Sequence, residues 1–191
     1  MKGVKDYLDA VKDCAEQLKD QNQEINRVID LLREAKENGK QVFICGNGGS
    51  AGTATHMAGD FFKISGLKAN SLDDNVPLMT ALINDEGWGS LYDYQLKRLF
   101  NPGDILIAIS VHGGSGQDKA GAWSQNLLKA IDYVNKHDGH TIGFSGFDGG
   151  AMKQLCDVCV VVPVESTPLV ESFHVVLHHL IAFALHEEDR I

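Results

Sequence analysis

Long apolar runs are missing from this chain of 191 residues. No segment approaches the roughly 18 unbroken apolar residues that cross a bilayer, and Met1-Lys2-Gly3-Val4-Lys5-Asp6 has no apolar core of the kind a secretory leader carries. A membrane partner is not expected, and the expected location is the cytoplasm. Basic clusters are missing too: Lys and Arg number 17 against 26 Asp and Glu, for a formal net charge of -9, so a surface that neutralises nucleic acid is not expected. Cysteine is scarce, and the four present (Cys14, Cys45, Cys156, Cys159) read as reduced thiols. Cys156 and Cys159 form a CxxC pair with no second pair beside it, and Val158 to Val162 reads as a buried strand, which disfavours a zinc or redox role. There is no internal repeat, linker or low-complexity tract. A hydrophobic share of 43% suffices for a substantial core, so one domain over residues 1–191 is expected.

What is present begins with a helical stripe. Val4, Leu8, Val11, Ala15 and Leu18 recur at spacings of four and three, and Ile25, Ile29 and Leu32 resume the phase. Asn22 interrupts this stripe and Asn38-Gly39 stops it, so residues 1–38 form one long or two consecutive helices, expected to pack on another subunit or to cover the protein's own sheet. From residue 40 the pattern changes to short apolar runs: Val42 to Cys45, Pro77 to Ile83, Ile105 to Ser110, Thr141 to Ser145 and Val158 to Val164. Helical stretches alternate with them at about Ser50 to Ile64, Glu86 to Phe100, Trp123 to His137, Ala151 to Leu155 and Leu169 to Glu187. The expectation for residues 40–191 is therefore an α/β core with a doubly wound, flavodoxin-like five-stranded parallel sheet. Ligands of such sheets gather beyond the carboxyl ends of the strands.

Two loops at that edge are rich in glycine and hydroxyls. Gly46-Asn47-Gly48-Gly49-Ser50 stands between a strand and a helix, where exposed N–H groups and the positive helix end favour an anion. Gly48 allows close backbone approach, while Asn47 and Ser50 offer side-chain hydrogen bonds. The loop has neither the spacing of a dinucleotide fingerprint nor the Lys-Ser/Thr ending of a Walker loop. Ser110-Val111-His112-Gly113-Gly114-Ser115-Gly116 is the second such loop, and it could cradle a phosphate. Asn84-Asp85 follows the expected second strand, either as a helix cap or as a contact for sugar hydroxyls.

Ionisable residues supply the rest. His56 and Asp60 lie four apart on one helix face. The last helix carries Glu171, His174, His178 and His179 in an otherwise apolar run, more polar groups than a core accepts without cause. Glu171 and His179 are separated by about 80° around the helix, so helix geometry favours His174 and His178 as the pair beside Glu171.

Taken in order, Cys45-Gly46-Asn47-Gly48-Gly49-Ser50 with His56 following, Asn84-Asp85, the serine loop, Ser166-Thr167-Pro168 and the His-bearing last helix resemble the phosphoheptose isomerases of the sugar isomerase (SIS) family. The resemblance runs over nearly the whole chain. It implies interconversion of sedoheptulose 7-phosphate and D-glycero-D-manno-heptose 7-phosphate, an early step toward nucleotide-activated heptoses, in homotetramers with active sites between subunits. It also implies Ser110 and Ser115 on the phosphate, Asn47, Ser50 and Asp85 on the sugar, and Asp60 and His179 as the acid/base pair. Several members bind zinc, and the matching positions here are His56, Asp60, Glu171 and His179.

The chain departs from the family at several of these positions. Asp60 stands where the family has Glu, which moves the base by roughly an ångström. Glu171 stands where it has Gln, and two carboxylates facing two histidines favour zinc or another divalent cation. Val111 and His112 replace hydroxyls, Gly114 replaces Asn, and Gly116 to Ser124 looks like an insertion, so His112 or Lys119 could supply charge to the phosphate. The competing readings are an isomerase of another sugar phosphate and a non-catalytic sugar-phosphate-binding regulator. Relatives of the latter kind lack the last-helix histidine that His179 retains.

Overall fold

The computed structural model describes residues 3–114 and 124–187. Two amphipathic helices, α1 (Val4–Leu18) and α2 (Asn22–Glu37), joined by a 3-10 turn at Lys19–Gln21, lead into β1 (Gln41–Gly46). There follow α3 (Gly49–Lys63), β2 (Lys68–Ser71), α4 (Val76–Asp85), a 3-10 turn (Trp88–Ser90), α5 (Asp93–Leu99) and β3 (Ile105–Ile109). The chain continues through α6 (Gln125–Asn135), β4 (His140–Gly146), α7 (Met152–Leu155), β5 (Val158–Val162) and α8 (Thr167–Glu187). All pairings are parallel and the strand order is β2-β1-β3-β4-β5, the flavodoxin-like order whose direction of growth reverses between β1 and β3.

Strand side chains alternate between two cores, as a period of two demands. Val42, Ile44, Ile105, Ile107, Ile109, Ile142, Phe144, Val158 and Val160 face α2, α3 and α8, whereas Phe43, Cys45, Leu106 and Ala108 face Leu82, Leu91, Tyr92, Leu96, Leu127, Ile131 and Met152. Each such aliphatic or aromatic side chain withdrawn from water contributes about 1.5–3 kcal/mol against the entropy of ordering the chain. Helices thus cover both faces, so the sheet is doubly wound. By length and composition Thr167–His186 could cross a membrane, yet half of that stretch is buried, and Val170, Phe173, Leu177 and Ile181 sit in the core.

The second strand corrects the sequence expectation. Pro77 to Ile83 is helical within α4, where Pro77 occupies the first turn and the side chain of Asn75 accepts from the Leu78 N–H at 3.1 Å. The true β2, Lys-Ala-Asn-Ser, is an edge strand paired only with β1 and buries only Ala69, so it carries no apolar signature. The expected helix over Glu86 to Phe100 is broken after Gly87, whose φ of +83° suits glycine, into the 3-10 turn and α5. At the opposite edge, the N–H of Val161 on β5 donates to Oε1 of Gln21 at 3.0 Å. The N-terminal stripe divides its faces. Ile25, Val28, Ile29, Leu32 and Ala35 of α2 are buried on the sheet and α8, whereas Val4 and Leu8 of α1 are exposed.

Candidate active site

Helices α3 and α8 pack side by side and run in the same direction, as three contacts along them show. Glu171 lies against Gly49, His178 against Asp60, and Ala182 O accepts from the Ser65 hydroxyl at 3.0 Å. The small residues Ala54 and Ala58 on the contact face of α3 permit the approach.

Two turns down α3, four side chains converge. His178 Nε2 is 2.7 Å from Asp60 Oδ2, His56 Nε2 is 3.5 Å from the same oxygen, and His179 Nε2 is 3.6 Å from it. The rings stack edge to face or tilted, with His56 and His178 centroids 4.5 Å apart and His178 and His179 centroids 4.1 Å apart. His178 is fully buried, whereas the side chains of His56 and His179 are 53% and 44% exposed, so the carboxylate is anchored from inside and open toward solvent. Burial pushes the His178 pKa down, opposed by its bond to Asp60 and reinforced by the neighbouring His179 and His56. A neutral His178 with Nε2–H donating to Asp60 leaves Nδ1 as a buried atom without a hydrogen-bond partner.

Among the described residues, the group able to hold a metal ion is His56, Asp60, His178 and His179, whose ligand atoms lie within 4.8 Å of one another. Three imidazoles and a carboxylate suit zinc. Of the four expected ligands this group contains His56, Asp60 and His179, and it takes His178 in place of Glu171. The reason is axial distance, since Glu171 and His179 are eight residues apart, about 12 Å along a helix. His174, which helix geometry favoured, faces away. Its Nε2 lies 3.1 Å from Ser145 O, and burial lowers its pKa to about 4, so it is a neutral structural donor.

Glu171 belongs instead to a second concavity of about 140 Å³ at the carboxyl edge of the sheet, lined by Asn47, Ser50, Ile109, Ser110, Val111, His112, Ser124 and Glu171. Its place is the β1/β3 reversal. A Cβ added at Gly49 would lie 2.6 Å from Glu171 Oε1, so this carboxylate lies directly against the start of α3. The positive ends of α3 and α6 meet here, Ser50 standing in the first turn of one and Ser124 at the N-cap position of the other, its side chain making no cap bond. Ser110 Oγ accepts from the Gly114 N–H at 3.2 Å and keeps its own hydrogen for a ligand. The turn is docked from behind: a Cβ on Gly113 (φ +59°) would meet Gly149 O at 1.9 Å, and the His112 ring lies 4.3 Å from that of Phe147.

Gly48, exposed and at φ +59°, forms the N-cap of α3. Asp85 lies at the end of a helix rather than of a strand, exposed, accepting from the Asn84 side chain at 2.7 Å, and outside this concavity. Ser115 and Lys119 lie outside the described residues. The expected insertion hid Ser124, which only its place before α6 brings to the pocket. Asp73, Tyr92 and Asn126, which support Asn47, were also missed. Asp73 ends the segment after the true β2, so a correctly placed second strand would have found it. Cys156 and Cys159 are free thiols pushed up by burial, and neither joins the metal-capable group.

Fold and site define an α/β protein with an anion-cradling sheet edge and, beside it, a histidine and carboxylate centre suited to proton or metal chemistry. A family model described as SIS domain matches residues 6–146. The chain is 32% identical to a phosphoheptose isomerase 2 of Campylobacter jejuni, over 95% of this chain and 90% of that protein. It is 33% identical to a phosphoheptose isomerase of Helicobacter pylori, over 92% and 88%. The solved phosphoheptose isomerase of Neisseria gonorrhoeae superposes with a TM-score of 0.86 at 26% identity, covering 96% of this chain and 97% of that one. The chain belongs to the SIS domain family and, within it, to the phosphoheptose isomerases.

Proposed function

We propose that the protein is an aldose–ketose isomerase that converts sedoheptulose 7-phosphate to D-glycero-D-manno-heptose 7-phosphate. The observation that carries this reading is the Asp60 carboxylate, bonded to His178 at 2.7 Å and flanked by His56 and His179, on the helix whose N-terminus forms the anion-favouring concavity. The names of the relatives supply the substrate.

In this reading Ser110, Ser115, Ser124 and the N-termini of α3 and α6 receive the phosphate, assisted by His112. Asn47, Gly48, Ser50 and Glu171 receive the sugar, whereas Asp85, exposed outside this concavity, has no place in it. Asp60 takes the proton from the carbon beside the carbonyl, and His179 serves the oxygen as the cis-enediol forms. His178 keeps its N–H on Asp60, which fixes the direction of the carboxylate. Zinc, or another divalent ion, would be held by His56, Asp60 and His179. When bound it would supply Lewis-acid stabilisation to the sugar oxygens.

The chain is read as a single domain of a soluble cytoplasmic homotetramer that binds a phosphorylated sugar, with neither nucleic acid nor membrane as partner. The apolar residues Val4, Leu8, Val176, Leu180 and Phe183 are exposed on α1 and α8, and His179 is on the same helix. A subunit packed there would bury them and complete the site, which fits the separation of Glu171 from the cluster.

The test is an assay of the purified protein with sedoheptulose 7-phosphate, with added zinc and after chelation, beside Asp60→Asn. Turnover abolished by the substitution supports the reading. No turnover in any condition, with other ketose phosphates converted, would move it to another substrate.

A further inference from the structure

Asn47 reaches the concavity held from behind by groups that belong to no expected site. Asn126 is fully buried, and its Oδ1 accepts from the Leu127 N–H at 2.9 Å. That bond fixes which end of the Asn126 amide is oxygen. The amide then pairs reciprocally with Asn47: Asn126 Nδ2 donates to Asn47 Oδ1 at 2.8 Å, and Asn47 Nδ2 donates to Asn126 Oδ1 at 3.1 Å. Turning either amide over would set donor against donor. The Asn47 oxygen also meets the hydroxyl of Tyr92 at 3.2 Å, so it is directed inward, and the second Nδ2 hydrogen is the part of the amide that the pair does not engage.

Tyr92 fixes the backbone on which Asn47 rides. Its buried hydroxyl, with one hydrogen to share, lies against the Gly46 carbonyl oxygen and 2.7 Å from Asp73 Oδ1, while Asp73 Oδ2 accepts from the Gly46 N–H at 3.1 Å. Both polar groups of Gly46 are therefore engaged by this pair of side chains, one residue before Asn47.

We propose that Asp73, Tyr92 and Asn126 are positioning residues that present Asn47 to the ligand as a hydrogen-bond donor, so that this position reads an acceptor oxygen of the sugar phosphate. The identity of the ligand rests on the isomerase reading; the orientation of Asn47 does not.

Kinetics with sedoheptulose 7-phosphate test the positioning. Tyr92→Phe and Asp73→Leu are expected to raise KM about tenfold, the worth of one well-placed hydrogen bond, with kcat changed less than about threefold. Asp73→Asn keeps an acceptor for the Gly46 N–H and replaces the acceptor for Tyr92 by an amide N–H that donates to the Tyr92 oxygen, leaving the Tyr92 hydrogen to the Gly46 carbonyl, and is expected to restore KM to near the wild-type value. An unchanged KM in Tyr92→Phe, or equal damage from Asp73→Asn and Asp73→Leu, would overturn the proposal. Side-chain amide exchange by NMR on the unliganded protein decides the orientation without turnover. One Asn47 Nδ2 hydrogen should exchange slowly and the other fast, and both should be fast in Asn126→Ala. Two fast hydrogens in the wild type would sink it, whereas absent turnover with the expected exchange pattern would count against the isomerase reading alone.

Discussion

Asp60 Oδ2 lies 2.7 Å from Nε2 of His178, a ring with no exposed surface, and this contact joins the two helices that carry the proposed chemistry. A buried imidazole is poorly placed to hold charge, so the bond is that of a neutral N–H donor to a carboxylate. The bond holds the carboxylate in one direction. The more exposed His56 and His179 remain open to substrate or metal on its other side.

Removing that carboxylate should therefore remove the reaction while leaving the fold. Asp60→Asn is expected to lower kcat by about 10²–10⁴, the usual contribution of a positioned base, with little change in KM. A progress assay on sedoheptulose 7-phosphate reads this directly, and activity within threefold of wild type would exclude Asp60 as the base.

Metal binding should show in stability as well as in rate. Zinc at about a hundred times its dissociation constant should stabilise the fold by about 2.7 kcal/mol, visible as a raised thermal midpoint that chelation reverses. His179→Ala should shrink the shift. Equal midpoints with and without zinc would leave the cluster to proton transfer alone.

His174 makes stability fall in acid. Its folded pKa of about 4 lies below the ordinary 6.5, owing to burial and against its bond to Ser145. The stability it contributes is complete above pH 6.5 and is lost as pH falls from there toward 4, by up to about 3 kcal/mol. Urea midpoints of wild type and His174→Gln, compared at each pH, should diverge in that window, and parallel curves would show that His174 does not titrate with unfolding.

Asp73 gives the opposite slope. Burial raises its pKa from 3.8 to about 6, the bonds from Tyr92 and Gly46 pull it down, and Asp74 pushes it up. A raised folded pKa in an acid means relative stability that is present below 3.8 and lost as pH rises through 6. Asp73→Asn should accordingly be more stable than wild type at pH 8, by about 1–3 kcal/mol, with the gain shrinking toward pH 4. Denaturant titration at the two pH values checks the sign.

The parts legible in the sequence were those set by short-range spacing. His56 and Asp60 share a face because four residues make about one turn, and the glycine loop announced itself between a strand and a helix. Four of five strands were visible because burial on both faces leaves an unbroken apolar run. The fifth, Lys68–Ser71, is an edge strand with little to bury, and the apolar run of α4 took its place in the reading. Which of His174, His178 and His179 meets Asp60 depends on how α8 is rotated against α3, a tertiary fact that no period along α8 contains. Asn126 and Asn47 are 79 positions apart, so their pairing had no local signal.

The two edges of the sheet carry a consequence for solution behaviour. At one side the outermost strand is only four residues long and begins with Lys68; at the other, Gln21 occupies the Val161 N–H that a stray strand would seek. Among the described residues both edge strands are short, four residues in β2 and five in β5, and short edges of this kind discourage strand addition between copies.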